Sequence, residues 1–170
     1  MKKILYVLAA SAIALTGVSA QAATFSPPST TGAKFEGDVD VFRDFSLNCL
    51  MKADVSSTAL DGNGDNTAQV DTASLSSGFM CNLVAFNNFP YPVTVTAPGG
   101  GGGVPATAVQ INSASVVTVL GGTCAGNVPA AWSDGAPATI TFAPGTPIAG
   151  GCTIGGTLTQ VAGSAITITN

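Results

Sequence analysis

Ser46-Leu47-Asn48-Cys49-Leu50-Met51-Lys52-Ala53-Asp54-Val55 alternates between two faces, with Leu47, Cys49, Met51, Ala53 and Val55 all on one of them. A period of two belongs to a half-buried strand, since a helical face would repeat every 3.6 residues. The same alternation returns downstream. Val93 and Val95 alternate with Thr94 and Thr96, Val109 is followed by Ile111, Val117 by Val119, and Ile140 and Phe142 alternate with Thr139 and Thr141. Ile154, Leu158, Ile166 and Ile168 carry the pattern to the end. Gly and Pro separate these runs, and the helices that a parallel α/β fold requires between strands are missing. The expected fold is all-β, an antiparallel sandwich or barrel of short strands.

Around this frame, Thr24 to Gly37 reads as an irregular lead-in, because Pro27-Pro28 cannot donate to a central ladder. Glu36, Asp38 and Asp40 would share one face of a strand, and a row of carboxylates suits a hydrated edge strand that repels sheet addition. The glycine run Gly99–Gly103 reads as a flexible loop within one β domain covering residues 23–170.

The chain opens as a secretory signal peptide. Lys2 and Lys3 precede an apolar run from Ile4 to Val18, and Ala20-Gln21-Ala22 supplies the small-residue exit. The run is too short for a comfortable membrane span of ~20 residues. Cleavage is expected after Ala22, with Ala20 as a second small-residue site, leaving a secreted chain, periplasmic or extracellular, with no transmembrane segment.

Export changes the reading of charge and sulfur. Without Lys2 and Lys3, the cations Lys34, Arg43 and Lys52 stand against nine carboxylates, a net charge of about −6. Three scattered cations cannot neutralise a run of phosphates, so nucleic acid is excluded as a partner. From Thr72 onward the only charged side chain is Asp134. A surface built from that half would be weakly hydrated and prone to adsorption or self-association. Cys49, Cys81, Cys124 and Cys152 form an even set, which in an exported protein reads as disulfides. Three pairings are open. Pairing of sequence neighbours closes two loops of similar length, each stabilising by ~3–4 kcal/mol in the chain-entropy model.

Catalytic chemistry has little to work with. The chain has no histidine, so neither a Ser-His-Asp nor a Cys-His pair can form. No close thiolate pairs suggest zinc, and no catalytic residue, metal or cofactor is expected. Asp61-Gly62-Asn63-Gly64-Asp65-Asn66 resembles half of a calcium loop, but Asn66 and Thr72 stand where the EF-hand needs Gly and the bidentate Glu. Asx and Gly residues also make tight hairpin turns without metal. Phe86, Phe89, Tyr91 and Trp132 are candidates for an exposed aromatic patch that contacts hydrocarbon. The alternative for them is packing under a loop.

The order of these features is similar to a known family. The apolar export signal is followed by Leu47-Asn48-Cys49, the polar turn at Asp61–Asn66, Cys81-Asn82-Leu83, Gly122-Thr123-Cys124-Ala125-Gly126, Trp132 and Cys152-Thr153-Ile154-Gly155-Gly156-Thr157-Leu158. Together these resemble the PraB-type protein activators of alkane oxidation. The resemblance implies an accessory role in alkane use and supplies no catalytic residues. Two functions follow from the sequence. One is a secreted, non-enzymatic protein that contacts hydrocarbon or the cell surface. The other is a structural subunit of a fibre, pilus or biofilm matrix, in which the tail Ile166–Asn170 would add to a neighbour's sheet.

Overall fold

Alternation becomes a closed surface in the structure, a computed structural model that describes residues 23–97, 103–118 and 122–169. The signal-peptide segment and Gly99–Gly102 lie outside the described residues, so only Gly103 of the glycine run is placed. The strands are β1 (Thr24–Ser26), β2 (Ala33–Phe42), β3 (Ser46–Ser57), β4 (Ala68–Ser76), β5 (Val84–Phe86), β6 (Tyr91–Ala97), β7 (Ala108–Thr118), β8 (Gly122–Ser133), β9 (Thr139–Ile148), β10 (Cys152–Ala162) and β11 (Thr167–Thr169).

Each long strand pairs antiparallel with the next in sequence, and β10 returns to pair with β2. β5 and β6 share one place beside β7, so the ring has eight positions in up-and-down order. A barrel of this size is just wide enough for its side chains to fill it, or to hold one small ligand. The separate two-stranded ribbon β1–β11 plugs one end: Phe25, Ile166 and Ile168 are buried there.

The inward set is apolar. Phe35 and Val39 on β2, Met51, Ala53 and Val55 on β3, Val128, Ala130 and Trp132 on β8, and Phe142 and Leu158 from β9 and β10 are all buried. The face of β3 inferred from the sequence is this inward face. Outward positions are polar: Lys34 pairs with Asp54 at 3.0 Å and Lys52 with Glu36 at 3.2 Å across β2–β3. Around the near-neutral half, asparagine and most threonines point out and isoleucine points in, while alanines fall on both faces and Val161 is exposed. The weakly hydrated wall expected from composition therefore carries threonine hydroxyls among alanine, proline and amide side chains. A polar outside around an apolar inside is the reverse of a membrane-spanning barrel. No helix among the described residues is long and apolar enough to cross a membrane.

Three sequence expectations change here. The lead-in Thr24–Gly37 is not irregular: it contains β1 and the first half of β2, with Pro27-Pro28 confined to the turn between them. β2 is not an edge, because β3 and β10 pair with both of its sides, so its carboxylates line an outer wall. A register shift between Ile111 and Ala114, with Ser113 at φ 57°, reverses the phase of β7. Val116 then faces inward in place of Val117, as a bulge requires.

Where β2 and β10 cross closely there is no room for a side chain. A Cβ on Gly37 would lie 2.0 Å from the Thr157 carbonyl oxygen.

Two carboxylates tie stability to acid. Asp54 is held below its ordinary value mainly by the hydrogen bond from Lys34, aided by Thr72. Asp61 is lowered by amide donors, first Asp65 and then Asn63. A carboxylate whose folded pKa is depressed contributes stability above the unfolded value of 3.8 and loses it as pH falls through the folded one. With no histidine, no side chain of ordinary pKa titrates between about pH 5 and 8. Urea midpoints should therefore be flat from pH 8 to 5 and drop below about pH 4. A transition near pH 6.5 would contradict this.

Candidate functional site at the open end of the barrel

The end opposite the β1–β11 plug is built from the β2–β3 turn and the ends of β4, β5, β7, β8, β9 and β10. Its strands place Val41, Leu47, Val84, Val116, Ile148 and Ile154 around a recess, with Phe86 at its inner side. Three small voids follow one another down the barrel, of about 60 Å³ at the mouth, 40 Å³ in the middle and 20 Å³ above the plug. Phe86, Val116, Ile148 and Ile154 border both of the first two.

The rim is apolar as well. Phe42 and Phe45 flank the β2–β3 turn, line the recess and are exposed, and Phe79 (85%) and Leu83, next in sequence to the lining residues Met80 and Val84, are exposed too. Exposed large hydrophobics are thus gathered at one end of an otherwise polar wall, with Leu60, Val104 and Val161 elsewhere.

One cation crosses this opening. β2 and β7 are four places apart either way round the ring. Arg43, just after β2, nevertheless donates from Nη1 to Thr118 Oγ1 of β7 at 3.2 Å. Its Nε is 3.9 Å from Asp44. The guanidinium lies against Gly122, where a Cβ would overlap it at 1.2 Å from Nη1. Arg43 is therefore a strap over the recess, its stem covering apolar surface and its head near water.

Both disulfides lie towards this end, and each spans a weak seam. β4 meets β6 in three residue pairs, from Ala68 to Val70, and β8 meets β9 in three, from Ala131 to Ser133. Both short ladders lie towards the plug. Cys49–Cys81 anchors the segment after β4 to β3, and Cys124–Cys152 ties β8 to β10 across the tip of β9. The Ala125 amide donates to the Ala149 carbonyl at 2.9 Å beside the second staple. Of the three pairings open in the sequence, the structure has the one between sequence neighbours, within one barrel.

The four aromatic candidates do not make one exposed patch. Trp132 (7% exposed) packs inside, its ring 6.0 Å from Phe35. Tyr91 is buried, and its hydroxyl donates to the carbonyls of Ser115, at 2.9 Å, and Asn87. Burial raises its pKa. Phe89 stacks on Tyr91 at 4.3 Å and is half-buried. Only Phe86 touches the recess. The rim residues Phe42, Arg43, Phe45 and Phe79 were missed in the sequence. Their one signal was Phe42-Arg43-Asp44-Phe45, two aromatics bracketing a charge pair between alternating runs.

The acidic turn is a structural device. Asp61 accepts from the amides of Asn63 (2.8 Å) and Asp65 (2.9 Å). Asn66 pairs its side-chain amide with both backbone groups of Phe25, accepting at 2.7 Å and donating at 2.8 Å. The loop thus serves the plug. The tail is engaged there too: β11 pairs with β1, and Ile166 and Ile168 are buried within the same chain.

These features define a class: a doubly stapled up-and-down β-barrel, closed at one end and apolar at the other. The family model described as alkane oxidation protein activator PraA/PraB-like matches residues 1–170, and the chain belongs to that family. No curated protein and no solved structure matches the chain.

Proposed function

We propose that the protein is a secreted, non-enzymatic accessory of alkane oxidation whose barrel mouth makes contact with hydrocarbon. The observation that carries this reading is an apolar recess lined by the exposed Phe42 and Phe45, with the exposed Phe79 and Leu83 next in sequence to its lining residues Met80 and Val84. The family description supplies the alkane context, and the two disulfides suit an oxidising compartment. Apolar area withdrawn from water contributes ~25 cal/mol per Å², so a few aromatic rings suffice to hold a protein at an oil surface. The polar outer wall would keep the remaining faces in water and orient the mouth towards the oil.

The test is interfacial tension and hexadecane emulsification with the purified, oxidised protein. The triple variant Phe42→Ser/Phe45→Ser/Phe79→Ser should lose about tenfold or more in adsorption, and because Phe42 and Phe45 are only partly exposed, circular dichroism and Trp132 fluorescence must show that the variant keeps the fold. Equal adsorption of variant and parent, or no adsorption by the parent at micromolar concentration, overturns the reading. Restoration of alkane growth to a deletion strain by added protein checks that the action lies outside the cell.

A further inference from the structure

We infer that the recess beneath Arg43 is a binding site for one unbranched alkyl chain, inserted end-on along the barrel axis. This deepens the proposed contact with hydrocarbon and rests on that reading for the choice of ligand. The geometry itself is independent of it.

The lining decides the ligand's chemistry. Hydrogen-bonding side chains border the recess at Arg43, Asp44, Thr118 and Thr153, but Val41, Leu47, Val84, Val116, Ile148 and Ile154 offer none, so a polar guest among them would leave its water partners unreplaced. An alkyl chain has none to lose. The arrangement of voids decides its shape. They stand in file from the mouth towards the plug and share walls, which favours a thin, linear guest over a wide one. The plug, tied by Phe25, Ile166 and Ile168, gives the channel a floor.

The voids are small beside the ~150 Å³ that takes up a benzene in an engineered core. A chain of many carbons must therefore displace side chains near the mouth. Met80, half-buried at the lining, is suited to this, because its unbranched thioether chain re-packs through three torsions. Arg43 is the cation that lines the opening. It is placed to meet an oxygenated chain end that stays at the rim, by charge-assisted hydrogen bonding. The recognised chemistry is thus the alkyl chain, whether it arrives as a hydrocarbon or as a carboxylate derived from one.

The experiment is displacement of the methyl ester of trans-parinaric acid, a fluorescent unbranched chain, from the purified, oxidised full barrel by dodecane and by dodecanoate. Saturable binding at one site per chain is expected, with displacement by unbranched chains and none by a rigid polycyclic hydrocarbon. Val116→Phe and Ile154→Phe, which fill the wall between the mouth and middle voids, should each weaken chain binding by roughly tenfold or more. Circular dichroism and Trp132 fluorescence report whether these variants keep the fold. Displacement by both ligands assigns the hydrocarbon itself. Displacement by dodecanoate alone, lost in Arg43→Gln, assigns the oxygenated chain. Displacement by neither, or binding undiminished in both folded Phe variants, overturns the proposal. If the parent and the filled variants adsorb equally to hexadecane while no chain binds inside, the internal site fails and the surface reading stands. If rim variants stop adsorbing while chains still bind, the reverse holds.

Discussion

Cys49→Ser/Cys81→Ser is expected to lose about 3–4 kcal/mol of unfolding stability, the chain-entropy value for a closed loop of this length. The bond spans 32 residues, from β3 to the segment that follows β4. β4 itself has no ladder partner on β6 beyond Val70, so the staple substitutes for missing hydrogen bonds at the seam. Two effects then add. The unfolded chain gains freedom, and the piece that carries Phe79, Met80 and Leu83 is released from the mouth. Urea unfolding followed by the single tryptophan, Trp132, measures the first effect. Hexadecane adsorption measures the second and should fall in the same variant. A loss below about 1 kcal/mol would mean that packing alone closes this seam. The Cys124–Cys152 pair, with a separation of 28, should cost a similar amount by the same account.

The second large effect is expected at the other end. Asp134→Ala should destabilise by about 3 kcal/mol, because two N–H groups lose their acceptor where water replaces it poorly. Asp134 Oδ1 accepts from Trp132 Nε1 and from the Ile168 amide, the latter at 3.0 Å. It therefore joins β8 to the ribbon that floors the barrel. Asp134→Asn keeps an oxygen in place and should cost distinctly less. If both substitutions cost the same, the clasp depends on charge and this hydrogen-bond account is wrong. Amide exchange offers a second readout: Ile168 should lose protection in the Ala variant before the β2–β3 amides do.

Much of this architecture was legible beforehand, and particular residues show why. Leu47, Cys49, Met51, Ala53 and Val55 announce their common face because side-chain direction in a strand depends only on local geometry. Absent histidine and an even cysteine set are likewise local facts, and they bound the chemistry without any fold. Asp38 and Asp40 were harder. Their outward direction could be read, but whether β2 was an edge depended on β10, over a hundred residues away. Val117 misled because one bulge at Ser113 shifts every later position, and a bulge leaves only a faint trace in composition. Trp132 was a candidate for a surface patch with packing as the alternative, and its ring is inside with its N–H satisfied by Asp134.

The candidate site was the least legible part. Phe42, Arg43, Phe45, Phe79 and Met80 come from two separate turns, and they form one mouth only because eight strands close into a ring.

The sequence by itself determined an all-β chain with a signal-like start, four cysteines suited to pairing, no histidine chemistry and a nearly uncharged second half. These follow from composition and from the two-residue repeat. The tertiary structure decided which cysteines meet, which end of the barrel is sealed, and that Arg43 reaches from β2 to β7 over an apolar recess. Those outcomes depend on strand register and ring closure, where residues far apart in the chain become neighbours, and no local pattern specifies such distances.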